Sequence, residues 1–102
     1  MIRVLLADDH SIFRLGIRRI LSSEDGMDVV GEVGDGLRVF TFLDSHEVDV
    51  LVLDLSLPGL SGLEIVRRLE DDAPRLGIVV LTMYPEGPFA MSLMRQGAGA
   101  FI

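Results

Sequence analysis

Asp8, Asp9, Asp54 and Thr82 each stand at the end of an apolar run: Ile2 to Ala7 for the acid pair, Val48 to Leu53 for Asp54, and Ile78 to Leu81 for Thr82. Three carboxylates gathered in one pocket repel one another, which raises some of their pKa values unless a cation is present. A hard divalent ion relieves that repulsion. Mg²⁺ takes near-octahedral oxygen ligands, typically one or two carboxylates with waters and a phosphate oxygen. Beside such an ion, a carboxylate at Asp54 is a nucleophile for phosphorus and gives an aspartyl phosphate. The Thr82 hydroxyl is a donor for one of the transferred oxygens. Taken singly, each residue has an ordinary structural reading. Acid pairs after a strand serve as turn or cap residues, and Thr82 is a β-branched strand residue. Their joint placement at strand ends carries the chemical reading.

The elements that must position them follow from apolar periodicity. Ile2 to Ala7 is a nearly continuous apolar run. Ser11 caps the next segment, where Phe13, Ile17, Ile20 and Leu21 recur at helical spacing. Met27 to Val33 reads as a short strand, and Asp35 caps a second helix with Val39, Phe40 and Leu43 on its buried stripe. Val48 to Leu53 is the most apolar strand and ends on Asp54. Pro58-Gly59 makes a turn, and Ser61 to Glu64 has capping-box spacing before the stripe Ile65, Val66 and Leu69. Ile78 to Leu81 is a fourth strand, Pro85 to Gln96 a fourth helix, and Ala98 to Ile102 the start of a fifth strand. Alternating strands and helices, with strands that read as unbroken apolar runs, predict a parallel sheet covered on both faces. Right-handed crossovers make it an α/β, doubly wound, flavodoxin-like five-stranded sheet. In such sheets functional residues collect beyond the carboxyl ends of the strands.

With 102 residues, 49% of them hydrophobic and 25% charged, the chain has the composition of one globular domain. No apolar run reaches the roughly 18–20 residues that span a bilayer, and the N-terminus lacks signal-peptide features. The absence of cysteine excludes disulfides and thiolate metal sites, and fits a cytoplasmic protein. Sixteen acids against nine basic residues give a net charge of −7, which repels phosphate backbones. All nine basic residues are arginine; there is no lysine.

The sequence resembles the receiver domain of two-component response regulators along its whole length. The matching pieces are Val4 to His10, Val52 to Gly59 and Val79 to Thr82, with Gly97 to Phe101 similar to the lead-in of the family's last strand. The resemblance implies that Asp54 is the phosphoacceptor and that a sensor histidine kinase supplies the phosphoryl group. It implies a Mg²⁺ ion held directly by Asp9, by Asp8 mainly through water, by Asp54 and by the backbone carbonyl of Ser56. Thr82 matches the switch hydroxyl and Phe101 the aromatic that turns inward with it. Asp8 to Ile17 is similar to the NarL/FixJ type, in which a LuxR-type helix-turn-helix usually follows and binds DNA; by this resemblance DNA is reached only through such an output domain. His10 reads as a structural residue of the first loop, and His46 as a solvated surface residue. Ser56 and Tyr84 stand where side chains gate attacking water.

One departure stands out. The family's lysine, whose ammonium pairs with the phosphorylated Asp, would fall two residues beyond Ile102, and arginine's planar fork is a poor replacement. The expectation is a receiver domain over residues 1–102 that lacks its last helix, as a piece of a longer regulator or as a short natural product. Uncovered apolar surface would then favour self-association. An aspartyl-nucleophile phosphatase is the enzymatic alternative, but Ser56 stands where its general acid would be. A receiver-like module that binds partners without phosphorylation is the other alternative. Beyond Mg²⁺-dependent self-phosphorylation and slow autodephosphorylation, no enzyme activity is expected.

Overall fold

The computed structural model describes residues 1–54, 57, 59–81 and 100–101, with Phe13, Ala100 and Phe101 described through their backbone alone. The elements run β1 (Ile2–Ala7), α1 (Ser11–Ser22), β2 (Met27–Val33), α2 (Gly36–Ser45), β3 (Val50–Asp54), α3 (Gly62–Asp72), β4 (Gly77–Leu81) and β5 (Ala100–Phe101). All pair in parallel in one five-stranded sheet of order β2-β1-β3-β4-β5. That order reverses between β1 and β3, the neighbours from which the chain winds off in opposite directions. Such a reversal opens a crevice at the strands' carboxyl ends, and Asp8 and Asp54 stand on its two sides.

Alternation along the strands divides the core in two. Leu5, Ala7, Leu51, Leu53, Ile78 and Val80 point to one face, where Val39 of α2 and Ile65, Val66 and Leu69 of α3 close over them. Val4, Leu6 and Val29 point to the other, against Ile17 and Leu21 of α1. Helices on both faces account for the unbroken apolar runs, because each strand is buried from two sides. The ladder brings Leu53 beside Ala7 and Asp54 beside Leu81. β1 and β3 therefore end at the same level.

Caps set where the helices begin. The Asp35 carboxylate accepts from the Leu37 backbone N–H at 2.7 Å, as its position predicts. The Ser61 hydroxyl accepts from the Glu64 N–H at 3.2 Å. The Glu64 carboxylate meanwhile engages Arg68 one turn on, at 3.0 Å. Gly59 holds φ at +91°, and a Cβ there would lie 2.9 Å from an Asp35 carboxylate oxygen, so the turn packs directly on the α2 cap.

The start of α1 departs from expectation. Ser11 is its first helical residue; His10 occupies the cap position, with no side-chain cap bond. Among the α1 residues whose side chains are described, the partly buried ones are Arg14, Ile17 and Leu21, at i, i+3 and i+7, while Ile20, one position off that stripe, is 62% exposed. Strand β3 begins at Val50 rather than Val48; just before it, the Asp49 N–H donates to the Arg3 carbonyl, and the Arg3 N–H donates to the Asp49 carboxylate. The expected helix over Pro85 to Gln96, and the further extent of β5, lie outside the described residues.

Candidate functional site

Strand β1 delivers Asp8 and Asp9 into the crevice, and the chain must then turn at once into α1. The turn is built by Asp8 itself. Its Oδ1 accepts from the His10 backbone N–H at 2.8 Å, and its own N–H donates to the Val33 carbonyl at 3.0 Å. Arg14, one turn into α1, donates from Nη1 to the Asp8 carbonyl at 3.1 Å. This backbone is held from three sides.

Asp8 is only 4% exposed, and its Oδ2 is buried without a hydrogen-bond partner. A carboxylate oxygen left so carries a desolvation penalty. Burial pushes the Asp8 carboxyl above its ordinary value; the His10 N–H opposes this, and the nearby Asp54 charge adds to it. Asp9 is more open, and Asp54, at the end of β3, is mostly covered, with its side chain 17% exposed.

His10 completes the cluster. Its Nδ1 lies 2.9 Å from Asp9 Oδ1, 3.3 Å from Asp8 Oδ1 and 3.6 Å from Asp54 Oδ2. One ligand atom from each of the four residues falls within 4.8 Å of all the others. The field of Asp9 first, and the hydrogen bond with Asp8 second, raise the His10 pKa above its ordinary value, against a smaller opposing effect of burial. The donor set suits a divalent cation: three carboxylates offer hard oxygens, and the buried Asp8 Oδ2 lacks the positive partner that such an ion supplies.

The sequence-predicted residues fare unequally. Asp8, Asp9 and Asp54 come together as spacing at strand ends requires. The Ser56 carbonyl, Thr82 and Tyr84 lie outside the described residues. Phe101 pairs through its backbone with Val80 on β5, and its side chain is likewise outside the description. The His10 backbone does take the loop role read from the sequence, but its ring also stands among the carboxylates. One signal for that placement existed: a histidine two residues after a strand-ending Asp, in a loop too short to carry it away. His46 is exposed, as expected, with its ring stacked on Phe42 at 4.0 Å between centroids.

A depression of about 700 Å³, bordered by Arg3, His46, Pro74 and Leu76, lies at the opposite, amino end of the strands. The Arg3 guanidinium there is already paired with Asp49 and Glu47. The chemistry sits with the carboxylates. Among the described residues, no helix is long and apolar enough to cross a membrane.

Comparison with known proteins agrees with this geometry. The family profile of the response regulator receiver domain matches residues 4–102. The response regulator UvrY of Escherichia coli strain K12 is 39% identical over 102 residues, which cover 100% of this chain and 47% of that protein. The chain thus spans about half the length of the curated relatives it matches. Among solved structures, the response regulator domain of Thermotoga maritima CheB superposes with a TM-score of 0.92 at 30% identity, covering 100% of this chain and 77% of that one. The isolated receiver of RcsB from Salmonella enterica serovar Typhimurium, solved in the presence of the phosphomimetic BeF3⁻, gives a TM-score of 0.90 at 30% identity, covering 99% and 75%.

Proposed function

Since this chain belongs to the response regulator receiver domain family, with relatives of the NarL/FixJ type, we propose that it accepts a phosphoryl group on Asp54 from a sensor histidine kinase. The observation that carries this is the cluster itself: Asp54, at the end of a central strand, lies among Asp8, Asp9 and His10 with a buried, unpartnered carboxylate oxygen beside it. In the transfer, an Asp54 carboxylate oxygen forms a bond to phosphorus while the bond to the donor's histidine nitrogen breaks and that nitrogen keeps the electron pair. Later attack by water on phosphorus returns the carboxylate and inorganic phosphate.

Asp8, Asp9 and Asp54, with the Ser56 carbonyl, would hold Mg²⁺, which when bound neutralises charge on the transferred oxygens. The residues around Asp54 do the positioning. Arg14 and the Val33 carbonyl fix the Asp8 backbone, so the carboxylates meet in a preset place and little order remains to be imposed during transfer. Thr82 would donate its hydroxyl to a phosphoryl oxygen, and Phe101 would turn inward with it. Their support is the family resemblance and, for Thr82, its place directly after Leu81, the residue paired with Asp54. A new dianion needs donors, and a mobile hydroxyl supplies one.

Receiver domains are generally not enzymes; self-phosphorylation from small donors and slow autodephosphorylation are the activities proposed here. Residues 1–102 act as one receiver unit in the cytoplasm, and the signal passes to a DNA-binding output domain such as regulators of this type carry. Self-association is proposed on the apolar face that α1 exposes through Ile12, Leu15 and Ile20; sedimentation equilibrium over a hundredfold concentration range tests it, and a monomer throughout rejects it.

The central proposal is tested with acetyl phosphate and Mg²⁺. The expected product is a base-labile, acid-stable mass increase of one phosphoryl group, absent in Asp54→Asn. BeF3⁻, present in the RcsB receiver structure, is the stable probe of the same state. A phosphoryl group retained in Asp54→Asn would reject the assignment. The phosphorylation-independent binding module is not favoured.

A further inference from the structure

Arg14 ties three elements together at the edge of the site. Its Nη1 donates to the Asp8 carbonyl at 3.1 Å, and its Nε lies 3.5 Å from a carboxylate oxygen of Glu32 on β2. The other Glu32 oxygen engages Arg18, one turn further along α1. The guanidinium lies over Gly34, where a Cβ would sit 3.5 Å from Nη1 and 3.9 Å from the Asp8 carbonyl oxygen. An ion pair this close to the surface contributes little to stability by itself. This one, however, ends on the peptide that joins Asp8 to Asp9. The Val33 carbonyl holds the peptide before Asp8, and Arg14 holds the peptide after it. A planar fork suits the task, because it presents Nη1 and Nε to acceptors on two different elements, whereas a lysine ammonium is a single point.

We propose that Arg14 is a positioning residue for phosphoryl transfer to Asp54, acting through the peptide between Asp8 and Asp9, and that Glu32, outside the site on β2, sets its reach. The inference rests on the reading of Asp54 as the phosphoacceptor, and adds what fixes the two carboxylates opposite it. Rotation of that peptide shifts Asp8 and Asp9 against Asp54. Transfer requires near-attack geometry, and a misplacement of about 1 Å costs roughly a hundredfold in rate. Glu32 draws the guanidinium along β2 from its Nε side, which leaves Nη1 directed at the carbonyl. Without Glu32 the long side chain regains rotamers that face solvent, and the carbonyl loses its donor for part of the time.

The test compares the unaltered chain with Arg14→Lys, Arg14→Ala, Glu32→Gln and the double variant Arg14→Ala/Glu32→Gln. One readout is the initial rate of phosphorylation by acetyl phosphate at saturating Mg²⁺. The other is the ¹⁵N shift of the Asp9 amide in EDTA, which reports the hydrogen bond on the Asp8 carbonyl of the same peptide without any metal. Both Arg14 variants should lower the rate by at least about tenfold, and Glu32→Gln by about threefold. All three should move the Asp9 nitrogen in one direction, and Glu32→Gln should add nothing on top of Arg14→Ala. A lower melting temperature with an unchanged saturated rate and an unmoved Asp9 nitrogen would overturn the proposal, since that is the mark of a merely structural arginine. So would a full rate in Arg14→Lys, or a Glu32→Gln effect that persists in Arg14→Ala; either leaves the Asp54 reading standing. An unaltered chain that takes no phosphoryl group on Asp54 would overturn both. Arg14→Lys keeps the charge and Glu32→Gln the shape, so these variants should fold, which circular dichroism checks, and Arg14→Lys replaces Arg14→Ala in the double variant if the latter does not.

Discussion

Replacing Asp8 by Asn should make the metal-free protein more stable and the metal-loaded protein relatively less so. The carboxylate is 4% exposed, one oxygen has no partner, and the Asp54 charge stands nearby. Leaving a buried polar group unsatisfied costs about 1–3 kcal/mol, more when it is charged. The amide keeps the shape, and its oxygen can still accept from the His10 N–H. Its NH₂ group becomes a donor among carboxylates instead of another negative charge. A gain of about 1–2 kcal/mol is expected without metal, and each kcal/mol raises the melting temperature of a domain this size by roughly 4–8 °C. Adding Mg²⁺ at ten times its Kd should stabilise the unaltered protein by about 1.4 kcal/mol, a gain the variant should largely lose. Thermal unfolding by circular dichroism in EDTA and in Mg²⁺ reads both effects. The pH dependence has a definite sign. The folded state holds the Asp8 proton to higher pH than the unfolded state does, so stability falls as pH rises from the ordinary carboxylate range through the raised folded value. Asp8→Asn should remove that slope. A variant less stable than the parent in EDTA, or one that keeps the full Mg²⁺ gain, would refute the reasoning.

Other perturbations test the frame. Arg3 holds the Asp49 carboxyl below its ordinary value of 3.8, so the stabilisation it gives is complete above that value and lost as pH falls through the lower folded pKa; Asp49→Asn should flatten the melting temperature against pH in that acid window. Ser61→Ala removes the acceptor for the Glu64 N–H at the start of α3 and should cost about 1 kcal/mol in urea unfolding, with the slope of the transition unchanged. Gly59→Ala forces a Cβ onto a backbone at φ +91° and to within 2.9 Å of the Asp35 carboxylate, and should cost about 1–3 kcal/mol in the same assay. Leu51→Ala opens a hole among fully buried side chains under α2 and α3 and should cost about 2–5 kcal/mol.

Much of this architecture is legible along the chain because its signals are local. Unbroken apolar runs mark strands buried on both faces, and Asp35 and Ser61 announce helices by hydrogen bonds that span only two or three residues. Where a local signal meets a tertiary demand, the local reading gives way. Ser11 has the chemistry of a cap, yet the cap position goes to His10, because Asp8 binds the His10 N–H and fixes where the chain turns. Ile20 fits a helical stripe on spacing alone, but the line of contact with the sheet runs through Ile17 and Leu21.

The site divides in the same way. Its residue types and their positions at strand ends, Asp8 and Asp9 after β1 and Asp54 after β3, are properties of the sequence, since periodicity locates each strand end. How deeply each carboxylate is buried is a property of the fold. Adjacent residues Asp8 and Asp9 differ from covered to open because the chain leaves β1 and turns there: Asp8 stays held against β2 through the Val33 carbonyl, while Asp9 falls on the bend. The approach of the His10 ring to three carboxylates, one of them 44 positions away, depends on β1 and β3 ending side by side. Hydrogen-bond registry between non-consecutive strands decides that, and no window along the chain contains it.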